Sequence, residues 1–423
     1  MIENPSNWAG NYTYRATKFH QPETVEQIQE LVVRTNKLKA LGTRHSFNDI
    51  ADSPGDLISL EHFNKIVALD RERRTVTVEA GTRYGQLARW LHDEGYALHN
   101  LASLPHISVA GACATATHGS GDRQGNLATA VSKLEMVTDN GEIVVLSREE
   151  QGEHFQGAVV GLGGLGVITK LTLNISPTFQ MQQDIYENLP LSELEEHFDE
   201  IFASAYSVSL FTSWRKAAFN QVWVKRHVPD GISVKVESQL FGATLAVANL
   251  HPIATLSAEN CTEQMGISGP WYERLPHFRM DFTPSSGEEL QSEYILPRQY
   301  AITALHAIDQ FRAYIAPLLQ ISEVRTIAAD DLWMSPCYKQ ACVAIHFTWK
   351  KDWDGVKELL PLIEEKLEPF EARPHWGKLF TMNPTRIQSL YKRLPEFREL
   401  LRSYDPQGKF RNTFLDKYIF GIS

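Results

Sequence analysis

The spacing of hydrophobic positions changes several times along the first 175 residues. The pattern Thr24-Val-Glu-Gln27 is typical of a capping box, and apolar residues at helical spacing follow it from Val25 to Val32, which predicts a helix. Short β-rich segments bounded by turn residues come next. A second helical pattern begins at Tyr84 and ends near Gly95, a residue type suited to a left-handed helix end. The N-terminal part is therefore predicted to mix helices and strands.

Longer strands are predicted beyond residue 130. Segments 131–145 and 167–175 are rich in β-branched residues, and Asp139-Asn-Gly141 is typical of a hairpin turn within the first of them. The character of the sequence changes around Pro177, after which long strand patterns such as Ser207–Trp214 appear. We therefore expect a domain boundary near residue 178.

Two later segments alternate strictly between apolar and polar side chains. In Cys342–Trp349 the apolar residues at odd positions share one face of a strand, while His346 and Thr348 share the other. In the second segment, Ser322–Ile327, Glu323 and Arg325 share one face of the predicted strand. An acid and a base side by side on a strand are most often a solvated edge or a structural ion pair. A polar strand face can equally bind a ligand that carries several hydroxyl groups.

The most informative segment is nearly free of large side chains. From Ile107 to Gly121, twelve of fifteen residues are Gly, Ala, Ser, Thr or Cys. Such a backbone can be approached closely, and its N–H groups and hydroxyls can bind an anion such as a pyrophosphate. We interpret this small-residue run as a cofactor-binding segment.

A second glycine-rich segment matches a different cofactor motif only formally. Gly161-Leu-Gly-Gly-Leu-Gly166 satisfies G-x-G-x-x-G, but a dinucleotide-binding Rossmann turn must open a helix. The following residues, Val167–Leu173, have strand character instead. We therefore predict a tight glycine turn that leads into a strand.

Composition narrows the possible partners and the location. At 423 residues the chain suffices for two or three domains, and its net charge of −10 disfavours nucleic acid or anionic membrane as the main partner. No apolar stretch approaches the roughly 20 residues that cross a bilayer, and none is typical of a secretion signal, so a cytoplasmic location is expected.

Four cysteines are too few for a disulfide framework, and Cys337-x4-Cys342-x3-His346 lacks typical zinc spacing, so no metal is expected.

One histidine in a loop, His45, is a candidate functional residue because of the segments that occur with it. His45 lies in the glycine-bearing loop Gly42–Asn48, where a lone histidine is usually solvated and without a role. This loop, the Gly81 turn in Val78–Thr82 and the small-residue run together closely resemble the PCMH-type FAD-binding domain of vanillyl-alcohol-oxidase-type flavoproteins. With Pro374–Lys378 and Tyr404–Asn412, essentially the whole chain resembles the alditol oxidases and their relatives, the aldonolactone oxidases.

The resemblance implies FAD as the cofactor, bonded through its C8α methyl to the imidazole of His45. Such a bond prevents loss of the flavin and makes it a better hydride acceptor by withdrawing electron density. The small-residue run would line the pyrophosphate and ribityl chain, and Val167 and Ile168 would lie near the adenine. The other implied cofactor contacts are Gly42, Thr43, Arg44, Ser46, Phe47, Asn48, Ser103, Ser108, Gly111, Thr115, Ala116, Thr117, His118 and His375.

The same resemblance implies a polyol site. The matching substrate residues are Ser103, Glu323, Arg325, Thr348 and Lys378, with His346 near substrate or flavin. Glu323 can accept hydrogen bonds from hydroxyls and Arg325 can donate them. Lys378, Arg325 and His346 are the expected catalytic residues, the two cations because they can stabilise negative charge that develops on the flavin or on the substrate oxygen.

The implied fold class is α+β, a two-domain flavoprotein whose cap domain contains a mainly antiparallel sheet. Residues 1–178 would form the FAD-binding domain, 179–380 the substrate-binding cap, and 381–423 a segment that returns to the FAD domain. The expected reaction is oxidation of the terminal hydroxyl of an alditol such as xylitol or sorbitol to an aldose, with molecular oxygen reduced to hydrogen peroxide. The expected partners are a small neutral polyol and oxygen, and the protein is expected to be a monomer.

Three alternatives are open from the residues. An aldonolactone oxidase or dehydrogenase shares the fold, although Glu323 favours a substrate with an additional hydroxyl. A sugar-binding protein that uses the nine tryptophans for stacking, or a nicotinamide dehydrogenase, would give a colourless preparation. The electron acceptor, oxygen or another molecule, is also open: Ala102 resembles the position that controls access of oxygen to the flavin, and its side chain is small but not absent.

Overall fold

The structure, a computed structural model, describes residues 5–229, 234–280 and 288–422. Its strands are β1 (Lys18–His20), β2 (Leu38–Leu41), β3 (Asp56–Ser59), β4 (Ile66–Asp70), β5 (Thr75–Glu79), β6 (Tyr96–Ala97), β7 (Val131–Val137), β8 (Ile143–Ser147), β9 (Val167–Asn174), β10 (Ser176–Pro177), β11 (Gln180–Pro190), β12 (Ser207–Thr212), β13 (Ala218–Val228), β14 (Gln239–Leu240), β15 (Ala243–Leu245), β16 (Gly269–Pro270), β17 (Glu289–Pro297), β18 (Leu319–Ile327), β19 (Cys342–Lys350) and β20 (Arg373–Pro374). Its helices are α1 (Val25–Arg34), α2 (Tyr84–Asp93), α3 (Val109–Ala114), α4 (Arg148–Gln151), α5 (Glu153–Val159), α6 (Leu191–Ala203), α7 (Ala301–Asp309), α8 (Arg312–Leu318), α9 (Trp353–Leu367), α10 (Pro384–Leu390), α11 (Leu394–Tyr404) and α12 (Thr413–Leu415).

The two helices predicted in the N-terminal part are confirmed, together with their end signals. The Thr24 hydroxyl accepts a hydrogen bond from the backbone N–H of Gln27 at 3.3 Å, which satisfies one of the free donors at the start of α1. Beyond α2, Gly95 adopts a φ of +85°, a conformation that glycine enters at little cost. Local side-chain chemistry therefore sets both of these boundaries.

Two sheets organise the N-terminal part. A parallel sheet has the order β1-β3-β2, and an antiparallel sheet has the order β4-β5-β9-β7-β8. The predicted hairpin at residues 139–141 is confirmed between β7 and β8. The turn 161–166 leads into β9, as predicted, so the glycine pattern does not open a helix.

A ten-stranded sheet dominates the second part of the chain. Its strand order is β14-β15-β11-β13-β12-β18-β19-β17-β20, with β16 paired to β11, and its pairings are antiparallel. Helices α6 to α9 cover one face, where Leu210, Val324 and Ile345 are fully buried. Each such side chain contributes about 1.5–3 kcal/mol of hydrophobic free energy. Side chains alternate along a strand, so the other face of the same strands lines a cavity.

The last helices pack against the N-terminal part rather than against the large sheet. Phe397 and Leu401 of α11 and Phe414 of α12 belong to the same buried cluster as Leu165 and Leu171. The domain limits at residues 178 and 380 themselves stay predictions. Throughout the three described ranges, every helix is too short or too polar to cross a bilayer.

Candidate active site

A deep cleft lies between the N-terminal part and the face of the large sheet that the helices leave uncovered. It encloses about 1810 Å³, counting space that opens to solvent. One wall comes from the loop 42–47 and the small-residue run, and the opposite wall comes from β12, β17, β18 and β19. The segments selected from the sequence for cofactor and for substrate therefore meet in one cavity.

The loop after β2 places His45 in this cleft. Arg44 has a φ of +61°, and a Cβ at Gly42 would meet the Ser108 Oγ at 2.6 Å, so a larger residue at that position would displace the Ser108 hydroxyl. The Thr43 hydroxyl lies 3.1 Å from His45 Nδ1 and accepts from the backbone N–H of Ser108 at 3.2 Å. Burial, with a contribution from His106, lowers the pKa of His45 to about 4. The imidazole is therefore neutral at physiological pH.

The small-residue run forms the wall beside this loop. It contains a short helix, α3, which its sequence did not predict because it has no amphipathic pattern. Thr115 and Thr117 expose hydroxyls to the cleft, with their oxygens 3.2 Å apart. The His118 ring is buried, and its Nε2 lies 3.5 Å from Glu293 Oε1. A wall with hydroxyls and few large side chains, in which a Cβ at Gly111 would meet the Ser108 Oγ at 2.9 Å, fits a large polar cofactor such as FAD.

Most of the predicted cofactor residues lie in the cleft wall, as Ala102 does. Those that line it are Gly42, Thr43, Arg44, His45, Ser46, Phe47, Ser103, Ser108, Gly111, Thr115, Thr117, His118 and His375. Four others do not: Asn48, Ala116, Val167 and Ile168.

These four side chains have other surroundings. Asn48 Nδ2 donates to the backbone oxygens of Trp376 and Lys378, at 2.8 Å in both cases, so it ties the two cleft segments together. Ala116 and Val167 are buried in the hydrophobic core, and Ile168 is partly buried against it. Their contact with FAD therefore stays a prediction, and we assign Asn48 a structural role in the site.

Strand register brings acidic and basic side chains into one row across the wall formed by β12, β17, β18 and β19. Phe211 of β12 lies opposite Glu323 of β18, and Glu323 lies opposite His346 of β19. Glu293 of β17 continues the row as the partner of His346. Directly opposite residues have Cβ atoms about 4.5–5.5 Å apart, so these side chains necessarily interact.

Glu323 and Arg325 form a buried pair rather than a solvated edge. Arg325 Nε and Nη2 donate to the two carboxylate oxygens of Glu323, each at 2.5 Å, and Nη2 also donates to the Ser103 hydroxyl. Glu323 is 4% exposed. Burial alone would raise the pKa of Glu323, but the Arg325 guanidinium and His277 outweigh it and lower that pKa well below its usual range. The carboxylate is ionised and remains a hydrogen-bond acceptor only.

Lys378 belongs to a second buried cluster. Its Nζ lies 2.7 Å from Glu293 Oε2 and 2.9 Å from His346 Nδ1. An ammonium carries no acceptor, so Nδ1 accepts from it and the ring proton of His346 is on Nε2, 3.1 Å from Thr348 Oγ1. Burial, aided by Lys378, lowers the pKa of His346 well below its usual value. Burial also lowers the pKa of Lys378, which Glu293 partly offsets.

Glu293 was not selected from the sequence, although a weak signal for it exists. Glu289, Gln291 and Glu293 occupy alternate positions of β17, and Leu290 and Tyr294 lie on the other face, but Ser292 interrupts the apolar pattern on that face. All three polar residues line the cleft. Two further buried residues beside the site, Lys225 and His277, were also missed.

The sequence matches two families over adjoining parts of its length. Residues 16–147 match the FAD binding domain family, and residues 171–418 match the D-arabinono-1,4-lactone oxidase family. An alditol oxidase from Streptomyces sp. (strain IKD472 / FERM P-14339) is 47% identical over 98% of this chain and 99% of that protein. The chain belongs to the alditol oxidase family. Other relatives, an L-gulono-1,4-lactone dehydrogenase from Mycobacterium tuberculosis and an L-gulonolactone oxidase from Bos taurus, are each 26% identical over at least 97% of both chains.

Membership in the alditol oxidase family settles three of the sequence predictions. The chain is an FAD-dependent oxidoreductase, as predicted. The α+β flavoprotein fold is also confirmed: cholesterol oxidase from B. sterolicum superposes with a TM-score of 0.77 over 98% of this chain and 96% of that chain, at 16% identity. FAD is accordingly the cofactor of this protein, and its substrate is a small molecule.

Proposed function

We propose that the protein oxidises the terminal hydroxyl of alditols such as xylitol and sorbitol to the aldose, with oxygen as the electron acceptor and hydrogen peroxide as the second product. The observation that carries this proposal is the sheet face on which an ionised carboxylate, a guanidinium and an ammonium line one cleft. A polyol presents consecutive hydroxyls that each need an acceptor and a donor, and this face offers both. The alditol oxidase from Streptomyces adds support, since it matches nearly the whole chain.

The cofactor would be held by the wall opposite the sheet. Ser108, Gly111, Thr115 and Thr117 would contact its phosphate and ribityl region, and His45 would form the covalent bond. When bound, FAD supplies the acceptor for the hydride that leaves the substrate carbon. Because His45 is neutral and fixed between Thr43 and Trp8, whose ring stacks on it at 5.3 Å, its imidazole is oriented before the bond forms.

The substrate would be positioned by the residues around Glu323. Glu323 accepts hydrogen bonds from the polyol, while Arg325, Ser103 and Thr348 donate to it. Thr348 Oγ1 accepts a hydrogen bond from His346 Nε2–H, which leaves the Thr348 hydroxyl proton for a substrate oxygen. Arg325 and Lys378 stabilise the negative charge that develops on the reacting oxygen. Both cations have buried carboxylate partners, which keep them charged and in place.

A lactone is the second candidate substrate, because residues 171–418 match a lactone oxidase family. A ring lactone presents a carbonyl, which only accepts hydrogen bonds, where an alditol presents a hydroxyl. Glu323 cannot donate to a carbonyl while ionised, so the buried carboxylate favours the alditol.

A product assay tests the proposed function. Air-equilibrated holoenzyme is incubated separately with xylitol, sorbitol and a galactonolactone, and aldose, peroxide and oxygen consumption are measured. We expect one aldose and one peroxide for each oxygen consumed with either alditol, and little turnover of the lactone. Aldose without peroxide would show that oxygen is not the acceptor, and turnover of the lactone alone would exclude alditol oxidation.

A further inference from the structure

A buried histidine that was not selected from the sequence lines the same cleft and contacts the carboxylate of Glu323. His277 is 5% exposed, and its Nε2 lies 2.8 Å from Glu323 Oε1 and 3.1 Å from Arg325 Nη2. Its backbone N–H donates to the Ser103 carbonyl at 3.2 Å. His277 therefore contacts three of the residues that we propose bind the polyol.

Behind His277 lies a buried lysine. Lys225 of β13 has no exposed surface, and its Nζ contacts the backbone oxygens of Leu275 and Pro276 at 2.6 and 3.0 Å and His277 Nδ1 at 3.1 Å. An ammonium has three protons and no acceptor, so these three contacts use all of its hydrogen bonds. Burial, followed by the Arg325 charge, lowers the pKa of Lys225, whereas Glu323 opposes this effect.

The contacts of both ring nitrogens determine which tautomer His277 adopts. Nε2 lies 2.8 Å from the ionised carboxylate of Glu323, which can only accept a hydrogen bond, and Arg325 can only donate one, so the ring proton is on Nε2 and points at Glu323. Nδ1 therefore carries no proton and accepts from Lys225. Burial, with a contribution from Lys225, lowers the pKa of His277 to about 3, so the ring is neutral. Phe211 and Trp223 pack edge-on against the ring, with centroids at 5.4 and 5.1 Å, and fix its plane.

We propose that His277 is a positioning residue for alditol binding, and that Lys225 fixes the tautomer in which His277 donates to Glu323. Together with Arg325, this donor prevents rotation of the carboxylate, so that the acceptor lone pairs of Glu323 point at the substrate hydroxyls. The arrangement acts on substrate binding and not on the electron transfer itself. This inference rests on the proposed function, because it assigns a role to a residue of the same site.

Kinetics separate this role from a merely structural one. His277→Leu is expected to raise the KM for xylitol about 10- to 100-fold, the usual cost of losing a hydrogen bond to a buried charge, while kcat changes less than about threefold. His277→Gln keeps an N–H donor within reach of Glu323 and is expected to recover most of the loss. An unchanged KM in His277→Leu, or equal losses in the Leu and Gln variants, would overturn the proposal.

A spectroscopic measurement tests the tautomer independently of turnover. In ¹⁵N-histidine-labelled holoenzyme, the signals that vanish in His277→Gln are expected to show a protonated Nε2 and an unprotonated Nδ1. Lys225→Met is expected to shift His277 towards the tautomer with a protonated Nδ1, whereas Lys409→Met is not. Lys409 is a matched control, a buried lysine that donates to the Val32 and Asp139 carbonyls. A protonated Nδ1 in the parent enzyme would refute the assignment.

The two experiments also separate this inference from the proposed function. If the parent enzyme oxidises no alditol, the proposed function fails, and the ¹⁵N spectrum still decides the tautomer. If alditols are oxidised and the tautomer is the opposite one, only the inference fails. Should Lys225→Met not fold, the comparison of His277→Leu with His277→Gln tests the positioning role alone.

Discussion

Lys378→Met is expected to slow the reduction of bound flavin by xylitol about 10²- to 10³-fold, the range for removal of one electrostatic donor from an active site. Lys378 lines the cleft and is kept in place by Glu293 and His346. A preorganised cation stabilises the negative charge of the transition state without having to reorient. Flavin content should equal that of the parent, since the lysine lies outside the small-residue run. Anaerobic rapid mixing with xylitol measures the rate.

A double variant distinguishes stabilisation of the transition state by Lys378 from mere neutralisation of the Glu293 charge. Without Lys378, the Glu293 carboxylate is buried at 2% exposure and has lost its nearest cation, which destabilises the fold by about 3–5 kcal/mol. Lys378→Met combined with Glu293→Gln removes both charges and should recover much of the stability, as measured by denaturant unfolding. The slow reduction should persist. If the double variant regains the parent rate, Lys378 acts only by neutralising Glu293, contrary to our proposal.

His45→Ala is expected to abolish covalent attachment of the flavin completely. When the parent holoenzyme is precipitated with acid, the yellow chromophore should remain in the pellet, and in the variant any flavin should appear in the supernatant. The reason is that His45 is a neutral imidazole that lines the cleft and is oriented by Thr43. Absorbance of the two fractions is the measurement.

His20→Ala provides the matched control for that experiment. His20 is also a histidine near a strand end, but its Nε2 is paired with Asp56 at 2.7 Å and it does not line the cleft. Its substitution should leave all flavin in the pellet. Flavin in the supernatant of the parent protein would disprove the covalent bond, although not FAD binding itself.

Much of the wall formed by β18 and β19 was predictable from the sequence because strand geometry is local. The period-two alternation places Glu323 and Arg325 on one face of β18, and His346 and Thr348 on one face of β19; the pairing of the two strands makes these one shared face. The sequence could not show that this face is buried. That burial depends on packing against the N-terminal part, and it changes an apparent solvated edge into a desolvated ion pair.

The parts that were missed depend on distant contacts. Lys225 lies in β13, although a lysine usually faces solvent, and the segment containing Leu275 and His277 covers its ammonium. His277 belongs to irregular backbone with no periodic signal. The helix α3 was missed for a different reason, because small residues pack on any side and leave no hydrophobic stripe.

Anaerobic mixing of the yellow holoenzyme with xylitol, followed by admission of air, tests the proposed reaction most directly. We predict that xylitol bleaches the oxidised flavin band, that a galactonolactone leaves it intact, and that air restores the band with release of one hydrogen peroxide per flavin. A flavin that stays oxidised with xylitol and sorbitol but is reduced by the lactone would contradict alditol oxidation.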